Sequence, residues 1–142
     1  MFSFKKSDAD KHEMILMSLG RALQNMPDLT NNFYEKLFAS SDKIKSYFKT
    51  TNWAEQNIRL KGALSTVVMF DVNDESAVNT LERLQKTHGK NGMKIDPDLY
   101  NIWETCMVSI IKEADKEFNK EIEKEWQRVI RKTTDYLSKG FY

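Results

Sequence analysis

The chain has 142 residues, long enough for one domain that buries about 70% of its unfolded surface without disulfide or metal staples. A 40% hydrophobic content, five glycines and two prolines describe a globular chain rich in regular structure and poor in linker. Lys and Arg number 22 against 21 Asp and Glu, which excludes the basic excess that drives binding to nucleic acid or to an anionic membrane.

The single Cys106 excludes an internal disulfide and suits a reducing compartment; among Trp103, Met107 and Ile110 it reads as a small buried hydrophobe. Residues Met1 to Ser7 lack the apolar core and cleavage site of a signal peptide, and no apolar run approaches a membrane span. A cytoplasmic location is the expectation.

Ser7 is the expected N-cap of a first helix reaching Met26, with Asp8 and Asp10 in its first turn and an inward stripe of Ile15, Leu19, Ala22 and Met26. His12, in the charged run Asp10 to Glu13, is expected at the surface. Pro27 and Asp28 break the chain and restart it. A second helix then carries Leu29, Phe33 and Leu37 on one line, with Tyr34 and Phe38 beside it, and ends near Ser40. Ser41-Asp42 caps a short third piece whose inward residues are Ile44, Tyr47 and Phe48.

Asn52-Trp53-Ala54-Glu55 reads as a capping box opening a long helix with the stripe Trp53, Gln56, Leu60, Leu64 and Val67. Gln56 stands out on that apolar face. A buried amide without partners costs roughly 1–3 kcal/mol, so a hydrogen-bond partner, from the protein or a ligand, is expected. After a turn at Asp71 to Asp74, the series Ala77, Leu81, Leu84 and His88 recurs at helical spacing, which aims the imidazole inward. Gly89 is expected to end that helix in a left-handed backbone. An inward imidazole at a helix end reads either as a satisfied core histidine or as an axial ligand for a metal cofactor.

Asp96-Pro97 signals the next helix, with proline at its first position, carrying Leu99, Trp103, Cys106, Met107, Ile110 and Ile111 to near Asp115. The last helix, from about Asn119, shows Ile122, Trp126, Val129, Thr133 and Tyr136. Between Lys112 and Lys132 the charges Glu117 with Lys120, Glu121 with Lys124 and Glu125 with Arg128 sit at pairing distance on a solvated helix face. The expectation is an all-α fold of about seven helices, in a single domain over residues 1–142.

Catalytic templates do not match. Two histidines cannot supply a His-rich zinc site, and Cys-x-x-Cys, His-Glu-x-x-His, Walker and Gly-x-Ser-x-Gly patterns are missing from the sequence. One inward histidine, one inward glutamine and a supply of large aromatics suit a flat hydrophobic cofactor held by one protein ligand.

In their order, Phe33 to Phe38, Ile44 to Phe48, the Gln56 helix, Leu84 to His88 and Asp96 to Trp103 give a sequence that resembles the globins over essentially its whole length. It is most similar to bacterial single-domain globins related to the haem domain of flavohaemoglobins. The resemblance implies a globin fold, a three-over-three helical sandwich around a haem b pocket. It matches His88 to the proximal iron ligand, Phe48 to the phenylalanine stacked on the haem plane, Tyr34 and Gln56 to the distal pair, and Leu60 to the aliphatic residue beside the bound ligand. Leu84, Met93, Trp103, Met107 and Val108 would line the proximal side by helix phase, and Arg59 and Lys90 are candidate cations for the haem propionates.

Tyr100 matches a tyrosine that, with a glutamate, supports the proximal histidine in flavohaemoglobin-type globins. Here the sequence departs: no acid follows Asp135, and helical spacing sets Asp135 away from the main stripe. The His88 Nδ1–H is then expected on the Leu84 carbonyl, a more neutral arrangement that lowers the expectation of peroxidase-like chemistry. The resemblance implies reversible binding of dioxygen, with carbon monoxide and nitric oxide as further ligands, in a monomer or homodimer. The alternatives are nitric oxide dioxygenation served by a reductase in trans, since the chain is too short for a fused flavin and NADH module, and a single-domain gas sensor.

Overall fold

The computed structural model describes residues 6–142, and the reading made on Met1 to Ser7 lies mostly outside them. Among the described residues seven α-helices follow one another without a strand: α1 (Asp8–Asn25), α2 (Leu29–Ser40), α3 (Asp42–Ser46), α4 (Trp53–Phe70), α5 (Glu75–His88), α6 (Asp98–Ala114) and α7 (Lys120–Ser138), closed by a 3-10 turn at Lys139–Phe141. Side-chain caps set most of the starts. Ser7 and Asp10 form a full capping box, and Ser41, Asn52, Asp74 and Asn119 each accept an N–H from the first turn of the helix they open.

Two starts differ from expectation. At α4 only half the box forms: Asn52 accepts from the Glu55 N–H at 3.2 Å, while the Glu55 carboxylate turns to Arg59, one helical turn on, at 3.7 Å. At α6, Pro97 is the N-cap and not the first helical residue, because the Asp96 side chain draws the Asp98 N–H to 3.0 Å and defers the first turn.

Helices α1, α4 and α5 pack across α2, α6 and α7, with α3 running on from α2. The expected stripes meet in one core: Ile15, Leu29, Phe33, Leu37, Leu64, Met107, Ile110 and Ile111 are fully buried around Trp126, joined by Ile130, which the expected stripe did not include. A second, smaller cluster of Phe70, Ala77, Leu81 and Leu137 fastens α5 to α7. Periodicity did not mark the polar clasp inside the main core. The Trp126 Nε1–H donates to Ser18 (2.9 Å), the Ser18 hydroxyl donates to Asp115 (2.7 Å), and Asp115 also accepts from Arg21 at 2.6 and 3.0 Å and from the Glu117 N–H. Burial works against the Asp115 charge, yet the Arg21 and Ser18 hydrogen bonds hold its carboxyl below the usual range.

The surface charges pair differently from the sequence expectation. Glu125 does reach Arg128 (2.9 Å), but Glu117 faces Arg21 (3.4 Å) and Glu121 faces Lys6 (2.8 Å). Glu117, in the loop before α7, meets Arg21 of α1, and Glu121, in the first turn of α7, meets Lys6 just before α1, so opposite charge is nearer across that interface than along the chain. Arg128 also clamps Asp71 through two bonds, at 2.7 and 2.9 Å, tying the α4–α5 turn to α7. His12 is partly buried, not free at the surface. Among the described residues no helix is long and apolar enough to cross a membrane.

Candidate functional site

His88 occupies the last position of α5, one turn beyond Leu84, and both are partly buried. Its Nδ1 lies 2.9 Å from the Leu84 carbonyl and 3.1 Å from the Thr87 hydroxyl. A carbonyl only accepts, so the proton must sit on Nδ1; the Thr87 hydroxyl, donating its own proton to the same carbonyl at 3.1 Å, accepts the other branch. In the neutral ring Nε2 therefore keeps its lone pair. Burial pushes the His88 pKa down against the opposing pull of the Leu84 bond, which favours that neutral form.

The end of α5 is fixed from two sides. The following loop folds back so that the Met93 N–H reaches the Thr87 carbonyl (2.8 Å) and the Ile95 N–H reaches the His88 carbonyl (2.9 Å). The C-terminal turn contributes the Gly140 carbonyl, which accepts from the Lys90 N–H at 2.9 Å, and Gln85 donates to the Tyr136 carbonyl at 2.6 Å. Gly89 is not left-handed, with φ −87° and ψ −164°. It is a glycine for space: a Cβ there would collide with the Gly140 carbonyl and lie 2.7 Å from the Gln85 carbonyl. Gly140 is constrained in the same way, 2.6 Å from that carbonyl.

On α2 and α4, Gln56 Nε2 donates to the Tyr34 hydroxyl at 2.8 Å, which gives the inward amide the partner its position demanded. Tyr34 is 5% exposed, and burial pushes its pKa up despite the Gln56 bond, so the phenol keeps its proton. Around it stand Phe38, Phe48 and Trp53, with Phe48 and Trp53 stacked at 6.0 Å and 15°. Leu60 is buried one turn after Gln56. Trp53, expected inside the α4 stripe, is 41% exposed because it begins the helix at the rim of the core.

The remaining expected residues divide. Leu84 and Tyr100 pack against the same Phe70–Leu81–Leu137 cluster, while Trp103 and Val108 belong to the main core, Trp103 edge-on to Phe33 at 5.5 Å. Met93 is half-exposed on the α5–α6 loop, Arg59 is largely exposed and faces Glu55, and Lys90 is exposed, so the structure does not gather these three with the rest. Asp135 is exposed, as its spacing foretold. The Tyr100 hydroxyl is buried with no hydrogen-bond partner among the described residues; burial, with the Tyr47 hydroxyl nearby, pushes its pKa up to about 12. Sequence reasoning missed Thr87 and Gly140, which hold the end of α5. The one signal for Gly140 was a glycine sitting just past the last helix.

A neutral imidazole whose Nε2 has no partner among the described residues, and a Tyr100 hydroxyl likewise buried without one, are the chemistry that a planar hydrophobic cofactor carrying a metal would need, while Tyr34, Gln56 and the aromatic rings form a separate cluster between α2 and α4. The globin family model matches residues 31–137 of the chain. No curated protein is similar enough in sequence to count as a relative. Among solved structures, the chain is similar to a Pseudomonas aeruginosa PAO1 protein described as structurally highly homologous to a human hemoglobin, at 22% identity and a TM-score of 0.85, over 92% of this chain and 98% of that one. It is also similar to shortfin mako (Isurus oxyrinchus) hemoglobin, at 18% identity and a TM-score of 0.76, over 97% and 100% of the two chains. At such identities the two structures speak for the fold.

Proposed function

The chain belongs to the globin family, and on that premise we propose that it holds haem b through His88 and binds dioxygen and related diatomic gases reversibly. The observation that carries this reading is the His88 side chain, whose Nδ1–H is committed to Leu84 so that Nε2 is left as the metal-binding atom. Bound haem supplies an iron centre with one position for the proximal histidine and one for a gas.

The chain's own residues do the rest. Gln56 spends an amide proton on the Tyr34 oxygen, which turns the Tyr34 O–H proton away from the amide and frees it for a ligand that carries partial negative charge. Such a charge-assisted donor is worth about 1.5–3 kcal/mol and favours a polarised ligand such as dioxygen over the less polar carbon monoxide. Phe48 and Leu60 serve as walls on the ligand side, and Leu84, Tyr100, Trp103 and Val108 as walls behind His88. Met93 and Arg59, both at the surface, are left out of this reading. A carbonyl and not a carboxylate accepts from His88 Nδ1, which keeps the imidazole neutral in character and suits holding a gas better than cleaving it. The same reading takes residues 1–142 as one globin domain working in the cytoplasm.

Adding haem to the purified chain tests this. A Soret band is expected, lost or shifted in His88→Ala and restored by added imidazole. A chain that gives no band is no haem protein, and a band unchanged in His88→Ala removes that residue from its role.

A further inference from the structure

Tyr34, Phe38, Phe48 and Trp53 touch in every pairwise combination, with ring centroids 5.2 to 6.0 Å apart. Only one of the four opens widely to solvent: Trp53 is 41% exposed, against 5% for Tyr34. The indole stands edge-on to the phenol at 5.2 Å. Gln56, three residues further along the same face of α4, reaches the hydroxyl of that phenol. So the buried Tyr34 ring is covered by the most exposed aromatic residue of the cluster, Phe38 and Phe48 being only partly exposed.

The position of Trp53 suits movement. It is the first residue of α4, preceded by the Asn52 cap and the turn from Tyr47 to Thr51, so backbone on one side of it is loop. Its neighbours hold it by ring contacts, which a rotamer change can break and remake.

We propose that Trp53 is the gate of the distal site, setting how fast small molecules reach Tyr34 while Tyr34 and Gln56 set how tightly they are held. The proposal rests on the gas-binding reading above for its ligand. A gate alters the barrier and not the end states. Replacing it therefore speeds arrival and departure by the same factor and leaves the equilibrium unchanged, whereas losing a donor speeds departure alone.

Two measurements on the full chain decide it. With haem bound, flash photolysis compares carbon monoxide and n-butyl isocyanide in wild type, Trp53→Ala and Trp53→Phe. Trp53→Ala is expected to raise both association and dissociation rates about threefold for carbon monoxide and about tenfold for the bulkier isocyanide, with Trp53→Phe close to wild type. A change confined to dissociation, or no change, overturns the proposal. Without haem, nitration by tetranitromethane is mapped by peptide mass spectrometry, with Tyr142, 81% exposed, as the internal standard. Tyr34 should be protected in wild type and react several-fold faster in Trp53→Ala; equal protection in both overturns the gate. A missing Soret band would instead sink the haem reading, while the nitration result still judges whether Trp53 is the wall.

Discussion

The Gln56 amide donates to the Tyr34 hydroxyl at 2.8 Å, and under the function proposed above this one bond assigns different tasks to the two polar side chains. An amide N–H aimed at a phenol oxygen leaves the phenol proton as the group free to point elsewhere. In the proposed function Tyr34 is thereby the donor and Gln56 its positioning residue.

Tyr34→Phe should speed dioxygen release by about 10- to 150-fold, the equivalent of about 1.5–3 kcal/mol, because it removes the donor outright. Gln56→Leu keeps the hydroxyl but loosens its direction, so a smaller acceleration is expected. Stopped-flow displacement of dioxygen by carbon monoxide measures both. Equal release rates in wild type and Tyr34→Phe would take the distal role away from Tyr34.

Gly89→Ala should destabilise the fold by about 1–3 kcal/mol, since the new methyl group meets the Gly140 and Gln85 carbonyls. The sign is the test. At an ordinary negative φ with open space, glycine to alanine usually stabilises by about 0.4–1 kcal/mol through the unfolded chain. A urea midpoint that rises in Gly89→Ala would mean that the contact between the end of α5 and the C-terminal turn is not tight.

Asp115→Ala should cost about 3 kcal/mol, the low end for breaking a buried pair, because Arg21 keeps some access to water while Ser18 and Trp126 lose the end of their chain of hydrogen bonds. Chemical denaturation measures the loss. The near-ultraviolet signal of buried Trp126 is expected to change with it, and a variant as stable as wild type would show that the clasp contributes nothing.

Acid should unfold the protein through the same groups. Arg128 hydrogen bonds hold the Asp71 carboxyl low, and Asp115 is low as well, so in both cases the unfolded chain binds its proton more readily than the native one. Their stabilisation is complete above the ordinary carboxyl pKa of about 3.9 and is lost as pH falls through it towards the native values. Urea midpoints followed down through that range should drop, and the drop should shrink in Asp71→Asn and Asp115→Asn. An acid limb of unchanged depth in both variants would place the sensitivity elsewhere.

Tyr100→Phe, made in the haem-free chain, should be neutral or stabilising by up to about 1 kcal/mol, because the deleted hydroxyl is buried without a partner among the described residues. A loss larger than that would reveal a partner for the hydroxyl.

Much of the fold was legible in the sequence because each helix announces itself locally. Ser7, Ser41, Asn52, Asp74 and Asn119 cap the helices they open, and the apolar period of 3.6 placed Ile15, Phe33, Leu64, Leu81, Ile110 and Val129 inside. The same period made Tyr34, Gln56 and His88 inward candidates. Loop residues fared worse: Met93 carries no period to follow, and it lies half-exposed.

What the sequence determined by itself was which face of each helix is apolar, since that depends only on residue spacing. What only the tertiary structure decided was who meets whom. It made Gln56 the donor to Tyr34, seated Gly89 against Gly140, and turned Glu117 to Arg21 and Glu121 to Lys6 instead of to Lys120 and Lys124. Those partners lie on other helices or at helix ends, and their distances are set by how seven helices pack into one core, a property that no single stretch of sequence contains.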